Sequence, residues 1–129
     1  MSSIRPIETE RAPQPGGHYA QGVVWDGLLF ISGQLPLAPG SGQPVTGAIE
    51  EQAEQALSNL KTIIEAAGSR IDCVLKTTVY ITDVSLWGRV DAVYSRFFGA
   101  HRPARSIVPV AALHHDCLIE IEAIAALDA

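Results

Sequence analysis

Apolar residues recur along this chain with two different periods. In residues 48–67 they recur every three or four positions and Gly68 follows, which predicts an amphipathic helix that ends at a glycine. The same spacing predicts a second helix over residues 85–98, ended by Gly99. Other segments alternate apolar and polar residues, which is typical of strands that bury one face.

The alternating segments predict at least five strands. Two of them, residues 21–25 and 28–32, flank Asp26-Gly27, a dipeptide that favours a two-residue type I′ hairpin turn. The other predicted strands are residues 74–82, 105–112 and 118–127, and residues 4–10 could add an edge strand. This order of elements predicts one domain over residues 1–129, of the α+β class, with one sheet and two helices on one of its faces.

Alternation also assigns side chains to the two faces of that sheet. We expect the helices to cover the more apolar face, to which the pattern assigns Leu75, Val79, Ile81, Val108, Val110, Ile119, Ile121, Ala123 and Ala125. The opposite face then mixes apolar side chains with Lys76, Tyr80, Arg105, Glu120 and Glu122. Two helices cannot cover both faces, so association of subunits is expected to cover the second one.

Composition and charge narrow the classes of partner. The formal net charge is −5, and the nine basic side chains are scattered singly, so we expect no nucleic-acid partner. No apolar run is long enough to span a bilayer, and the start of the chain lacks the apolar segment of a signal peptide. We therefore expect a cytoplasmic protein without a membrane partner, in which Cys73 and Cys117 are free thiols.

Arg105 and Glu120 are the charged residues with the clearest chemical potential. Arg105 opens a predicted strand after Pro103, where its guanidinium offers a planar, bidentate fork for a carboxylate. The alternative is a structural salt bridge to Glu120 or Glu122. Glu120 could activate a water molecule, or it could be the other half of that same bridge.

Three further sites have both a functional and a structural interpretation. Ser32 and Gly33 end a strand where a ligand could approach the backbone, although an ordinary turn explains them equally. Tyr19 could cap a pocket or simply pack. His114-His115 lacks the third and fourth ligands that a zinc site needs, so we expect no metal and interpret the pair as loop histidines that hydrogen-bond locally.

A set of motifs in fixed order resembles one family along nearly the whole chain. The motifs are GHYAQ (residues 17–21), FISGQLP (30–36), EAAG (65–68), KTTVYI (76–81), RPARS (102–106) and IEIEAIA (119–125). Together they are similar to those of the RidA (YjgF-type) family of reactive intermediate deaminases. The resemblance implies a chorismate-mutase-like fold and a homotrimer whose sheets form a central barrel, with active sites between subunits.

The resemblance also implies the reaction and the residues. The reaction is hydrolysis of reactive enamines and imines of the 2-aminoacrylate type to 2-keto acids and ammonia, without a cofactor. Arg105 would bind the substrate carboxylate and Glu120 would orient or activate the attacking water. Tyr19, Ser32, Gly33 and Asp91 would help to bind the substrate, and Ile107 would act through its backbone.

The chain departs from the family pattern near the expected pocket. The family often has Cys at the position of Ile107, Asn at that of Asp91, and Pro-Lys at that of His114-His115. It also often has Pro and Ser where this chain has His18 and Ala20. These differences favour a branch whose substrate differs from 2-aminoacrylate, and they leave open whether His114 and His115 contact ligand.

Four functions are therefore compared below. The leading hypothesis is a general enamine/imine deaminase, and the second is a deaminase dedicated to one pathway's unsaturated amino acid. The third is a trimer without catalysis that binds small carboxylates or acts as a chaperone. Ribonuclease activity, also attached to the family, is the weakest because the net charge is −5 and no basic stripe is present.

Overall fold

A computed structural model describes residues 3–127 of the chain. Met1, Ser2, Asp128 and Ala129 lie outside the described residues. Met1 and Ser2 begin the segment in which we expected no signal peptide. Within the described range, no helix has both the length and the apolar character needed to cross a membrane.

The strands form one six-stranded mixed sheet. Its strands are β1 (Arg5–Ile7), β2 (Gly22–Trp25), β3 (Leu28–Gln34), β4 (Val74–Ile81), β5 (Ala104–Pro109) and β6 (Ile119–Ala126). The spatial order is β1-β2-β3-β6-β4-β5, in which only the β4–β5 pair is parallel. The predicted strands are confirmed, with β1 and β5 shorter than the alternation suggested.

Two helices, α1 (Ile49–Ala66) and α2 (Trp87–Phe98), cover one face of this sheet. A short 3-10 turn, Val84–Leu86, precedes α2, so the regular helix begins two residues later than predicted. The α1 side chains Leu57, Leu60 and Ile63 are at most 1% exposed because they pack on the sheet. The α+β class and the position of both helices on one face are thus confirmed.

Glycines and one aspartate provide the predicted chain reversals. Asp26 and Gly27 have φ of 51° and 78°, the pair of positive values that a type I′ turn requires. Gly68 and Gly99 have φ of 84° and 64°, directly after the two helices. Both are conformations that a residue with a β-carbon adopts only with strain.

The helix-covered face is confirmed in β6 and, except at one position, in β4. Val79, Ile81 and the predicted β6 residues are buried beneath the helices. Leu75 was assigned to the same face, and this was wrong, because its side chain is 48% exposed. The β4–β6 register shifts between Val74 and Lys76, and this irregularity turns Val74 inward in its place.

The opposite face of the sheet has no helix over it, and we call it the open sheet face. Three of its large apolar side chains are exposed, Trp25 at 46%, Phe30 at 41% and Val108 at 37%. A cavity of about 340 Å³ lies on it between Phe30, Lys76 and Glu122. A contiguous apolar and charged surface of this kind is typical of an interface.

Candidate active site

Arg105 lies on the helix-covered side of the sheet. It is paired in parallel register with Thr77, which is fully buried and whose hydroxyl lies 2.7 Å from the Tyr94 hydroxyl of α2. Paired residues of neighbouring strands project to the same face, so Arg105 projects toward α2. The assignment of Arg105 to the open sheet face was therefore wrong, as was that of Val108 to the helix-covered face. The alternation in β5 was correct, but its two faces were exchanged, because the side that carries Arg105 and Ile107 is the one in register with buried Thr77 and Val79.

The guanidinium of Arg105 is held by one face of α2. Its Nη1 donates to Asp91 Oδ1 at 2.8 Å. Its Cζ lies 4.7 Å from the Tyr94 ring centroid and 5.3 Å from that of Trp87, within the range of cation–π attraction. The alternative of a salt bridge to Glu120 or Glu122 is thus wrong, since the ion-pair partner is Asp91.

We call the space around this guanidinium the Arg105 cavity. Its volume is about 530 Å³, and its lining includes Asp91, Tyr94, Arg102 and Arg105. A guanidinium carries five N–H donors, and within residues 3–127 Arg105 uses one of them in a side-chain hydrogen bond. The remaining donors are available to a planar anion such as a carboxylate.

Glu120 lies on the other face of the sheet. It pairs in register with Tyr80, one strand position away from the buried Val79 and Ile81, and so projects to the open side. It lines a cavity of about 550 Å³, which we call the Glu120 cavity. The lining also includes Tyr19, Gly33, His114 and His115.

The surroundings of Glu120 shift the pKa of its carboxyl. Burial raises the pKa of the Glu120 carboxyl, and the negative charge of neighbouring Glu122 raises it further. The His114 imidazole opposes both effects and lowers the Glu120 pKa. A carboxyl whose pKa is raised toward neutral pH is better matched to proton transfer than an ordinary surface glutamate.

Gly33 allows this placement of Glu120. A β-carbon on Gly33 would lie 2.8 Å from Glu120 Oε2, a contact that β-carbons essentially never make, and 3.0 Å from Glu120 Cδ. Any larger residue at position 33 must therefore displace the carboxylate. The register between β3 and β6 also shifts between Ile31 and Gln34, so the strand is irregular at this point.

The hydroxyl groups of Ser32 and Tyr19 have local partners. Ser32 Oγ donates to the Ala20 carbonyl at 2.6 Å, and this bond ties β3 to the preceding loop. Tyr19 is 52% exposed, and its hydroxyl accepts from the Gly16 amide at 3.3 Å. Tyr19 lines the Glu120 cavity, whereas Ser32 lines the smaller cavity of the open sheet face.

The expected site residues thus fall into separate groups. Tyr19, Gly33 and Glu120 share one cavity. Arg105 and Asp91 share another, on the opposite face of the sheet. Ile107 lies two residues beyond Arg105, half-buried against the core, in register with Val79. A single chain does not bring Arg105 and Glu120 together.

His114 and His115 form a stacked pair at the edge of the Glu120 cavity. Their ring centroids lie 4.0 Å apart and their planes are 18° from parallel. Among residues 3–127, neither ring makes the local hydrogen bond that we expected. In the same range, no cluster of three or more His, Cys, Asp or Glu side chains could hold a metal ion.

Two aromatic residues at the site were not assigned to it from the sequence. They are Trp87 and Tyr94, both on α2. Residues 87, 91 and 94 are spaced i, i+4, i+7, which places them on one helical face. An aromatic–acid–aromatic face of this spacing is the signal that could have indicated an arginine partner.

Comparisons with known proteins agree with this architecture. The family model described as "Endoribonuclease L-PSP" matches residues 9–127. The 2-iminobutanoate/2-iminopropanoate deaminase of Rattus norvegicus is 45% identical over 127 residues, which cover 97% of this chain and 93% of the relative.

Solved structures show the same fold. The YjgF gene product of E. coli superposes with a TM-score of 0.90 at 44% identity, covering 95% of this chain and 98% of that one. E. coli TdcF, solved with bound serine, gives 0.91 at 41% identity, with coverage of 96% and 99%. The chain therefore belongs to the endoribonuclease L-PSP family, which is the family of the YjgF and RidA proteins.

Proposed function

We propose that this protein hydrolyses 2-imino acids and their enamine tautomers, of the 2-aminoacrylate type, to 2-keto acids and ammonia. The observation that carries the proposal is the guanidinium of Arg105. It is held by Asp91 and two aromatic rings, and most of its donors remain available to a substrate carboxylate. The relatives named as deaminases of 2-iminobutanoate and 2-iminopropanoate support the same substrate class.

The complete site requires two copies of the chain. Arg105 and Glu120 lie on opposite faces of one sheet, so we place the substrate between Arg105 of one subunit and Glu120 of its neighbour. A homotrimer whose open sheet faces line a central barrel would also cover Trp25, Phe30 and Val108.

The chemistry then needs little beyond positioning. The carbon of an imine is already electrophilic, so the protein has to hold it, orient a water molecule and accept a proton. Arg105 binds the carboxylate as a bidentate fork, and the Glu120 carboxylate orients and deprotonates the water. The resulting carbinolamine expels ammonia and leaves the 2-keto acid. Tyr19 and Gly33 form the wall that brings substrate and Glu120 together.

The test is a coupled assay with two variants. An amino-acid oxidase or lyase generates 2-iminopropanoate, semicarbazide traps the surviving imine, and the fall in semicarbazone measures the deaminase. We expect wild type to lower the semicarbazone yield. Arg105→Ala should lose about 2–5 kcal/mol of substrate binding, because a buried carboxylate loses its partner.

Arg105→Lys serves as the matched control for charge. A lysine ammonium keeps the charge but cannot reproduce the planar fork, so this variant should recover only part of the activity. Wild-type activity in Arg105→Lys would contradict the carboxylate clamp. No activity in wild type would contradict the deaminase itself.

Two other functions make different predictions in the same assay. A deaminase dedicated to another unsaturated amino acid, as the departures at Asp91 and His114-His115 suggest, would be slow on 2-iminopropanoate and fast on a larger imine. A carboxylate-binding trimer without catalysis would be stabilised by 2-keto acids through Arg105 but would show no turnover. The family description names an endoribonuclease, and the net charge of −5 disfavours that activity here.

A further inference from the structure

We propose that His114 is a second proton-transferring residue of the active site, which donates a proton to the imine nitrogen while Glu120 takes one from water. The proposal rests on the deaminase function above and deepens it. His114 and Glu120 would then form an acid–base pair. Without His114, Glu120 alone would have to take the proton from water and give one to the imine nitrogen.

The first support is the shared cavity. His114, His115 and Glu120 line the same space of about 550 Å³, together with Tyr19 and Gly33. The charge of His114 acts on the Glu120 carboxyl directly, since the imidazole lowers the pKa that burial raises. A substrate within reach of Glu120 is therefore also near the imidazole of His114.

The second support is the backbone of the turn that carries the two rings. His115 has φ 60° and ψ 23°, and the next residue, Asp116, has φ 55°. Two consecutive residues with β-carbons in the left-handed region cost free energy, and such strain persists where the surroundings fix it. Here buried Cys117 follows the turn, and the Leu118 amide donates to Gln52 Oε1 at 2.9 Å. The strained turn places both histidines in the lining of the Glu120 cavity.

The third support is the stack itself. The ring centroids lie 4.0 Å apart with the planes 18° from parallel, so the His115 ring packs on the His114 ring and restricts its orientation. Histidine is the side chain that exchanges protons between pH 5 and 8. The titratable groups that line the same cavity as the pair are Glu120 from β6 and Tyr19 from the loop before β2, and Asp116 follows the pair in its own turn.

The proton transfers balance over the complete reaction. In the addition step, the water oxygen bonds to the imine carbon and gives a proton to Glu120. The π pair of the C=N bond moves to nitrogen, which takes a proton from the His114 imidazolium. In the breakdown step the roles reverse. Protonated Glu120 gives its proton to the nitrogen, and the C–N bond breaks with its pair on the departing ammonia. The hydroxyl proton of the carbinolamine returns to His114, and both residues regain their starting states.

The test compares His114→Ala with wild type in the semicarbazide assay, with an enzyme-free blank at each pH. General acid–base catalysis contributes about 10²–10⁴-fold, so kcat/KM should fall at least about a hundredfold. Added imidazole should restore part of the rate, because the cavity that alanine leaves can admit the free base. In the pH profile of kcat/KM, the fall in rate that accompanies loss of the proton from the His114 imidazolium should also disappear.

Lys61→Ala is the control. Lys61 is exposed on α1, lies outside the linings of the Glu120 and Arg105 cavities, and its removal should leave kcat/KM unchanged. Thermal unfolding of each variant separates catalysis from stability. A lower rate in His114→Ala that imidazole does not restore, with an unchanged pH profile, would assign His114 a structural role and overturn the proposal.

The wild-type result distinguishes failure of the deaminase function from failure of the His114 role. If wild type is inactive, the deaminase function itself fails. If wild type is active and His114→Ala retains both its rate and its pH profile, the deaminase function stands and the role of His114 is overturned.

Discussion

The Arg105 cavity and the Glu120 cavity are similar in size but differ in how their functional groups are held. Arg105 has an ion-pair partner at 2.8 Å and two aromatic rings against it. Glu120 has a carboxyl with a raised pKa, a glycine beside it and two imidazoles on the same cavity wall. One group is fixed in place, and the other is surrounded by groups that exchange protons.

This difference matches the demands of the two proposed tasks. Binding a carboxylate rewards a rigid fork, because order established before binding need not be established during it. Moving a proton rewards a carboxyl whose two protonation states are close in free energy. The two tasks thus favour opposite environments, and the sheet keeps those environments on opposite faces.

The strongest test of whether Arg105 and Glu120 of one site come from two subunits is to mix two inactive variants and look for restored activity. Arg105→Ala and Glu120→Gln should each be nearly inactive alone. When the two variants are unfolded together and refolded as mixed oligomers, some interfaces should regain both intact residues. For random mixing in a closed ring, about a quarter of the sites should be restored. The measurement is kcat/KM of the refolded mixture, with each variant refolded alone as the control.

A mixture that stays as inactive as its parents would place both residues in sites formed within one subunit, or in no common site. Either result would contradict the two-copy site.

Gly33→Ala should move the Glu120 carboxylate, and so lower activity, without lowering the stability of the fold. The new β-carbon would meet the far end of the Glu120 side chain, which can swing away at small cost in folding free energy. A displacement of about 1 Å at a reacting group can lower the rate by up to about a hundredfold. We expect kcat to fall by at least tenfold while the thermal midpoint hardly changes.

Gly40→Ala is the matched control, because a β-carbon there meets nothing within 4 Å. Full activity in Gly33→Ala would show that the position of the Glu120 carboxylate is not critical.

Asp91→Asn should strengthen substrate binding at Arg105, whereas the preceding variants should lower activity. Asparagine keeps an oxygen for the Arg105 hydrogen bond but removes the negative charge that competes with a substrate carboxylate. The pair is partly exposed, with side-chain exposures of 21% and 37%, so solvent screens the effect. KM should fall by roughly three- to tenfold, or about 1 kcal/mol, with kcat little changed. An unchanged or higher KM would mean that Asp91 does not compete with substrate.

The smallest effect is expected at an ion pair that resembles Arg105–Asp91 but lies outside both cavities. Arg89 of α2 donates from Nε and Nη2 to the two carboxylate oxygens of Glu50 of α1, each at 2.7 Å. The Arg89 guanidinium lowers the Glu50 pKa from 4.5 to about 2. Glu50→Gln should leave kcat/KM unchanged and lower the thermal midpoint slightly at neutral pH.

The pH dependence of that midpoint checks the cause. A carboxyl whose pKa is lowered by folding stabilises the folded state above its unfolded pKa, and that contribution is lost as pH falls toward the folded value. The midpoints of wild type and Glu50→Gln should therefore converge between about pH 4.5 and about pH 2. A constant difference over this range would assign the effect to something other than charge.

The periodicity of the sequence predicted most of the fold. Helix and strand positions follow from spacing, and the Asp26-Gly27 turn follows from the φ values that only a few residues adopt easily. The assignment of Leu75 to the helix-covered face was wrong because alternation assumes an unbroken register. The register shift between Val74 and Lys76 depends on the neighbouring strand.

The site was less predictable because it depends on pairing across the sheet. Nothing local to β5 indicates that Arg105 lies in register with buried Thr77, or that its partner comes from α2 rather than from β6. The identities of Arg105 and Glu120 came from the motif resemblance. Their separation onto two faces required the strand order, which local periodicity does not contain.

The position of β6 in that order has a consequence for synthesis of the protein. β6 is the last strand along the chain, yet it lies between β3 and β4 and pairs with both. A nascent chain that has not yet released β6 from the ribosome can form only two partial sheets, β1-β2-β3 and β4-β5, with unpaired inner edges. Such edges are prone to pairing with other chains. Assembly of the sheet must therefore wait for its last strand, and chaperone binding would be most useful during that interval.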